Sequence, residues 1–155
     1  MSKSIHLYEV SGAMKEVLKS GGEVSFISAG FSMLPMLRNR MDKIFLVRPE
    51  GRLKKYDVPL YIRRDGKFVL HRIIGSGRDG YILRGDNQRE IERGVSDEQV
   101  VAVLKAFCRD GKMIKCTDIK YRCYCRLLPF VRFFRFRIYP IYVKTAAPVI
   151  KKIKK

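Results

Sequence analysis

Apolar positions recur with a helical period near the start of the chain and with a strand-like pattern through most of the next ninety residues or so. In residues 5–19, Ile5, Tyr8, Val10, Met14, Val17 and Leu18 favour one side and Lys15, Glu16 and Lys19 the other, the stripe of a short amphipathic helix. Gly21-Gly22 ends it. Residues 24–29, 43–48 and 56–63 are short runs of β-branched, aromatic and other apolar residues, each predicted as a strand. Asp65-Gly66 marks a tight hairpin turn into a strand over 67–74, and Asp79-Gly80 turns that strand into Tyr81-Ile82-Leu83-Arg84. Residues 99–108 fit neither period well, and their β-branched enrichment favours strand. Strands separated by turn signals every ten residues or so predict a mainly β domain.

From residue 121 the pattern breaks down. Bulky aromatics alternate with arginines, and Pro129, Pro140 and Pro148 are expected to cut any helix into short pieces. The predicted organisation is a helix in 1–22, a β domain in 23–110 and a basic, aromatic tail in 111–155.

Charge sharpens this division. The 155 residues carry a formal net charge of +18, and residues 105–155 alone hold 15 Lys and Arg against 2 Asp and Glu. Such an excess calls for an anionic partner. Basic residues interleaved with rings suit a membrane surface, where rings enter the headgroup region and cations meet anionic lipid. The alternative is a tail whose rings pack on the β domain while its charges are solvated. Nucleic acid is disfavoured, because nothing resembles an RNA-binding or helix-turn-helix module. The first residues lack the apolar core of a secretory signal, and no uncharged apolar run reaches the 18–20 or so residues of a spanning helix. A cytoplasmic or peripheral-membrane location is therefore expected. Cys108, Cys116, Cys123 and Cys125 are spaced C-x7-C-x6-C-x-C, without a C-x-x-C pair or a nearby histidine. Free thiols are expected, with no metal and no cofactor; acylation of one thiol is left open.

Candidate chemistry lies in three boxes. The first is Ser28-Ala29-Gly30-Phe31-Ser32-Met33-Leu34-Pro35-Met36-Leu37, a small and apolar run with a hydroxyl just before Met and Pro. The second, Phe68-Val69-Leu70-His71-Arg72-Ile73-Ile74, places a histidine in a strand-like stretch, and the third is Arg84-Gly85-Asp86-Asn87-Gln88. Hydrolysis of a peptide by serine needs a base that takes the hydroxyl proton and later returns it to the departing amine. Ser32 is the candidate nucleophile and His71 the candidate base, its ordinary pKa of about 6.5 suiting neutral pH. An imidazole usually needs an acid to orient it. Arg72, on the opposite strand face by alternation, is expected to pair with a carboxylate.

In this order and spacing, G-x-S-M-x-P-x-L, V-x-H-R-I-I and G-D-N resemble the signature boxes of the signal peptidase I superfamily, which includes the self-cleaving SOS and phage repressors. A histidine at position 71, where bacterial signal peptidases and repressors carry lysine, resembles the archaeal and endoplasmic-reticulum branch. The resemblance covers roughly residues 23–107. It implies a signal-peptidase-like β fold and a serine endopeptidase that cleaves signal or leader peptides after small residues. It also implies that the orienting acid is either Asp86 or the residue seven past the glycine of G-D-N, here Glu92 instead of aspartate.

Three features depart from the family. Gly30 stands where many relatives have a second, oxyanion-binding serine, so backbone N–H groups would have to form the hole, with Ser28 as a less favoured helper. Arg40-Met41-Asp42 replaces the usual Gly-Asp. The membrane anchor of signal peptidases is not found. The alternative function is thus a catalytically silent module that binds a peptide or a membrane through the same fold.

Overall fold

The computed structural model describes residues 7–138, with side chains from Gly12 onward; Ile5, Pro140, Pro148 and the terminal lysines lie outside the described residues. Helix α1 (Leu7–Lys19) buries Met14 and Leu18, four residues apart on one face, and leaves Val17 exposed. Its last turn closes as expected from the glycine pair. Gly21 N–H donates to Leu18 O at 3.2 Å and Gly22 N–H to Val17 O at 2.8 Å.

Among the described residues nine strands come after it. They are β1 (Val24–Ile27), β2 (Lys43–Val47), β3 (Pro59–Ile62), β4 (Phe68–Leu70), β5 (Arg72–Gly77), β6 (Gly80–Arg84), β7 (Glu92–Val95), β8 (Val100–Arg109) and β9 (Lys112–Lys115). The fold is mainly β, as the pattern predicts. A six-stranded antiparallel sheet runs β1-β2-β8-β3-β4, with β9 also paired to β8, and a three-stranded sheet runs β5-β6-β7. The ambiguous run at 99–108 becomes the centre of the larger sheet. One edge of β8 carries β2, while the other carries β3 near its start and β9 near its end. Its Ala102, Leu104, Ala106 and Phe107 are buried, and the register shift against Phe45 and Leu46 of β2 changes the inward parity between Leu104 and Phe107, so the run lacks a clean alternation.

The predicted strand over 67–74 is two strands in two sheets. β4 pairs with β3, β5 pairs with β6, and His71 is the residue between them. The backbone partners change there: Ile73 accepts from Tyr56 N–H at 2.9 Å and donates to Asp57 O at 2.8 Å. Tyr61 from β3 packs with Ile73, Tyr81, Leu83 and Val95, so the core of the smaller sheet includes a ring from the larger one. At the β5–β6 turn Gly80 has φ +124°, and a Cβ there would stand 2.4 Å from the Val95 carbonyl oxygen; no other residue fits. Strand β7 gave no pattern signal, because Glu-Arg-Gly-Val has one apolar position.

The sheet extends past residue 110 through β9, and the chain divides into two compact units between Asp118 and Ile119. In the second unit, helix α2 (Ile119–Phe133) runs through Pro129 and continues as a π turn over Phe134–Ile138. The expectation that Pro129 breaks the helix is thus overturned. Proline removes the one N–H that would have bonded the carbonyl four residues back, and the rest of the ladder carries the helix on. Among the described residues no helix is long and apolar enough to cross a membrane. None of the four cysteines is in a disulfide.

Candidate active site

A cavity of about 370 Å³ opens beside the larger sheet and is lined by both Ser32 and His71. β1 and β4, the outermost strands in the order of that sheet, both border it, through Phe26 and Ile27 on one side and Phe68, Val69 and Leu70 on the other. A sheet must curl to bring its two ends to one cavity. A second cavity, of about 500 Å³, lies beside α1 with Lys15, Lys19, Arg48 and Arg52 in its wall, but it has no histidine or hydroxyl side chain. Nucleophile and base therefore point to the smaller of the two.

The loop carrying Ser32 is held from two directions. The G-D-N box supplies one: Asn87 N–H donates to Ser32 O at 2.8 Å, and Asn87 Nδ2 donates to Phe31 O at 3.0 Å. Gly85 lies so close that a Cβ would stand 2.7 Å from the Ser32 carbonyl oxygen. Arg109, at the end of β8, supplies the other, donating from Nη2 to Pro35 O at 3.0 Å and Met36 O at 2.6 Å. Arg109 is itself fixed by Asp42, which is fully buried and also accepts from the Arg38 backbone N–H and guanidinium. Burial opposes ionisation of Asp42, but the hydrogen bonds from Arg38 and Arg109 outweigh it and hold the carboxyl below its ordinary pKa.

His71 is only 2% exposed. Its Nδ1 lies 2.9 Å from Glu92 Oε1 and 3.2 Å from the Tyr61 hydroxyl. Glu92, at the start of β7, is gripped by Arg63, with Nε at 2.8 Å from Oε2 and Nη2 at 2.5 Å from Oε1. Tyr61 hydrogen-bonds the same carboxylate. A proton on Nδ1, donated to Glu92, satisfies this network and leaves Nε2 as the acceptor. No buried side-chain nitrogen or oxygen among the described residues lacks a partner, so Nε2, which has none, is open to the cavity.

Electrostatics favours a neutral imidazole over an ionised carboxylate. Burial pushes the His71 pKa down; the Glu92 charge pulls it up and the Arg63 charge pushes it down again, with a net fall. Glu92 is penalised by burial as well. Hydrogen bonds from Arg63 and Tyr61 and the charges of His71 and Arg63 reverse that, leaving its pKa below the usual carboxylate value. The Tyr61 hydroxyl is raised well above its ordinary value, first by burial and then by Glu92, and stays protonated.

Of the residues marked by sequence, Ser32 and His71 share the cavity, although no hydrogen bond joins them, and Glu92 stands on the imidazole. Asp86 does not. It forms a two-pronged pair with Arg72, Nε at 2.8 Å from Oδ1 and Nη2 at 2.7 Å from Oδ2, and both side chains are 1% exposed. Arg72 Nη1 also donates to Tyr56 O at 3.0 Å. Arg72 thus pairs with a carboxylate, as alternation from His71 leads one to expect, and the carboxylate in the G-D-N box is consumed by that pair. Of the expected oxyanion groups, the Ser28 hydroxyl donates to Arg38 O at 3.1 Å and the Gly30 N–H to Asn39 Oδ1 at 2.8 Å. The Ser32 N–H makes no such bond.

Sequence reasoning missed Tyr61, Arg63 and Arg109; Asn87 and Asp42 stood in stretches it marked but were given no role. Tyr61 and Arg63 alternate along one predicted strand, which is the only local hint that they share a face. Nothing in the sequence ties them to a glutamate 29 residues beyond Arg63. No protein-family model and no curated protein matches this chain.

Proposed function

We propose that this chain is a serine endopeptidase of the kind its three boxes resemble, cleaving an extended signal or leader peptide after a small residue. The observation that carries the proposal is the shared cavity: Ser32 and the open Nε2 side of His71 line it, while Glu92 holds Nδ1 from behind. In the reaction, Ser32 Oγ adds to the scissile carbonyl carbon as its proton passes to His71 Nε2. Collapse of the tetrahedral adduct breaks the C–N bond, and the imidazolium gives that proton to the leaving amine. Water then adds to the acyl-serine ester with His71 again as base, which releases the new carboxylate and restores the hydroxyl. Glu92 keeps Nδ1 protonated and stabilises the transient imidazolium. The Ser32 N–H serves as one oxyanion donor. A catalytic hydrogen bond of this sort, absent between Ser32 and His71 here, commonly forms only once substrate fills the site. The peptide adds as a strand along an outer edge of the larger sheet, at β1 or β4.

The test is cleavage of an extended-peptide library read by mass spectrometry. Wild-type protein is expected to cut after small residues, and Ser32→Ala and His71→Ala are each expected to abolish the cuts with the fold intact. Cleavage that survives either substitution would remove the enzyme reading.

A second reading rests on two observations, the absent Ser32–His71 hydrogen bond and the commitment of the Ser28 hydroxyl and Gly30 N–H to other acceptors. It is a peptide-binding module that keeps the fold without the chemistry. Such a module would retain library peptides uncut, and Ser32→Ala would leave that retention unchanged.

A further inference from the structure

Helix α2 has a buried side and, opposite it, an exposed apolar one. At about 100° per residue, Tyr121, Cys125, Leu128 and Arg132 fall on one line, and these are its buried positions. Ile119, Leu127, Phe130 and Val131 project from the other side, at 78, 57, 65 and 45% exposure. Phe133, Phe134 and Ile138, also exposed, continue the apolar surface to the end of the described residues. On the same wheel Arg122 and Arg126 flank the exposed stripe on one side, while Lys120 falls within it beside Leu127, and all three are exposed. No Asp or Glu occurs after Asp118 anywhere in the sequence, whereas 11 Lys and Arg do.

These observations select among partners. A helix that only packs on a core keeps its outer face polar, and this one does not. Single-stranded nucleic acid would account for the cations and could stack on phenylalanine rings. It gives no role to Ile119, Leu127 and Val131, which have no flat face. Hydrocarbon suits all of them, and an anionic headgroup layer suits the flanking charges. A 15-residue helix is only about 22 Å long, too short to cross a bilayer core.

We propose that α2 and the turn after it form a membrane-surface element that lies in the plane of an anionic leaflet. Its exposed apolar side chains enter the headgroup–acyl boundary, and Lys120, Arg122 and Arg126 sit at phosphate level. The proposal stands apart from any chemistry at Ser32.

Co-sedimentation of the full chain with vesicles tests it. Binding to phosphatidylcholine–phosphatidylglycerol vesicles is expected to exceed binding to pure phosphatidylcholine by about tenfold or more. The triple variant Leu127→Gln, Phe130→Gln, Phe134→Gln alters exposed positions only and should keep the far-ultraviolet circular dichroism spectrum. It is expected to lose about tenfold or more of the anionic binding. Arg126→Gln alone should lose about fivefold. Triple-variant binding equal to wild type would reduce the effect to bare charge attraction and overturn the proposal. So would a wild-type chain indifferent to both vesicles, whether or not a poly-uridine probe retains it.

Discussion

Burial and charge pull the imidazole of His71 in opposite directions, and burial wins. The ring is therefore neutral and ready to accept a proton around pH 7 and somewhat below. The acid limb of kcat/KM for peptide cleavage is accordingly expected to have its midpoint under about 6.5, the ordinary histidine value. Replacing Glu92 by glutamine removes the charge that raises this pKa and the acceptor that fixes the tautomer. Glu92→Gln is expected to lower kcat by about 10³–10⁴-fold and to move the acid limb further down. A loss of kcat with the limb unmoved would mean that the Glu92 charge does not act on the imidazole. Asp86 was an equally available acid by sequence; the register of β5 on β6 sets Arg72 opposite Arg84, two residues before Asp86, and no local pattern carries that pairing.

At the level of elements, the boxes divide their labour in a way that spacing conceals. G-D-N supports the serine loop through Gly85 and Asn87, while its aspartate ties β5 to the turn after β6 through Arg72. Gly85→Ala must push the Ser32 backbone aside, and a displacement of about 1 Å can cost about 100-fold in rate. We expect such a loss in kcat/KM with a small change in thermal midpoint. The Arg72–Asp86 pair behaves differently. Asp86→Ala leaves a buried guanidinium without its carboxylate and is expected to cost about 3–5 kcal/mol in denaturant unfolding. The double replacement Arg72→Met with Asp86→Leu, which removes both charges, is expected to lose much less; equal losses would mean that the pair itself, rather than the orphaned charge, sets the cost.

For the whole molecule, pH acts on stability through the same groups. The folded-state pKa values of His71, Asp42 and Glu92 all lie below their ordinary values. Between its lowered and its ordinary pKa each group binds more protons when unfolded, so stability rises with pH across that interval. The His71 contribution is complete above about pH 6.5 and is lost as pH falls toward its folded pKa. The carboxylate contributions persist to about pH 4 and are lost below it. Unfolding free energy measured between pH 3 and 8 should therefore fall in two stages, and His71→Asn should erase the upper one. An upper stage that persists in the variant would show that the imidazole is not the group that folding neutralises.

Much of the fold was legible because alternation and turn chemistry are local. Asp65-Gly66 and Asp79-Gly80 announced two hairpins, Gly21-Gly22 announced the end of a helix, and the basic, aromatic character of the last third was plain in its composition. Ser32, His71 and Glu92 could be marked by type and order. Sequence alone thereby determined a mainly β chain, a hydroxyl and an imidazole in compatible boxes, and a strongly cationic end. What only tertiary structure decided was partnership. It split one predicted strand at His71 between two sheets, carried α2 through Pro129, and turned Tyr61 and Arg63 toward a glutamate on another strand. It also gave Asp86 to an arginine. Those outcomes depend on which backbone groups find hydrogen bonds and which charges can be buried together, and both are set by contacts between residues far apart in the chain.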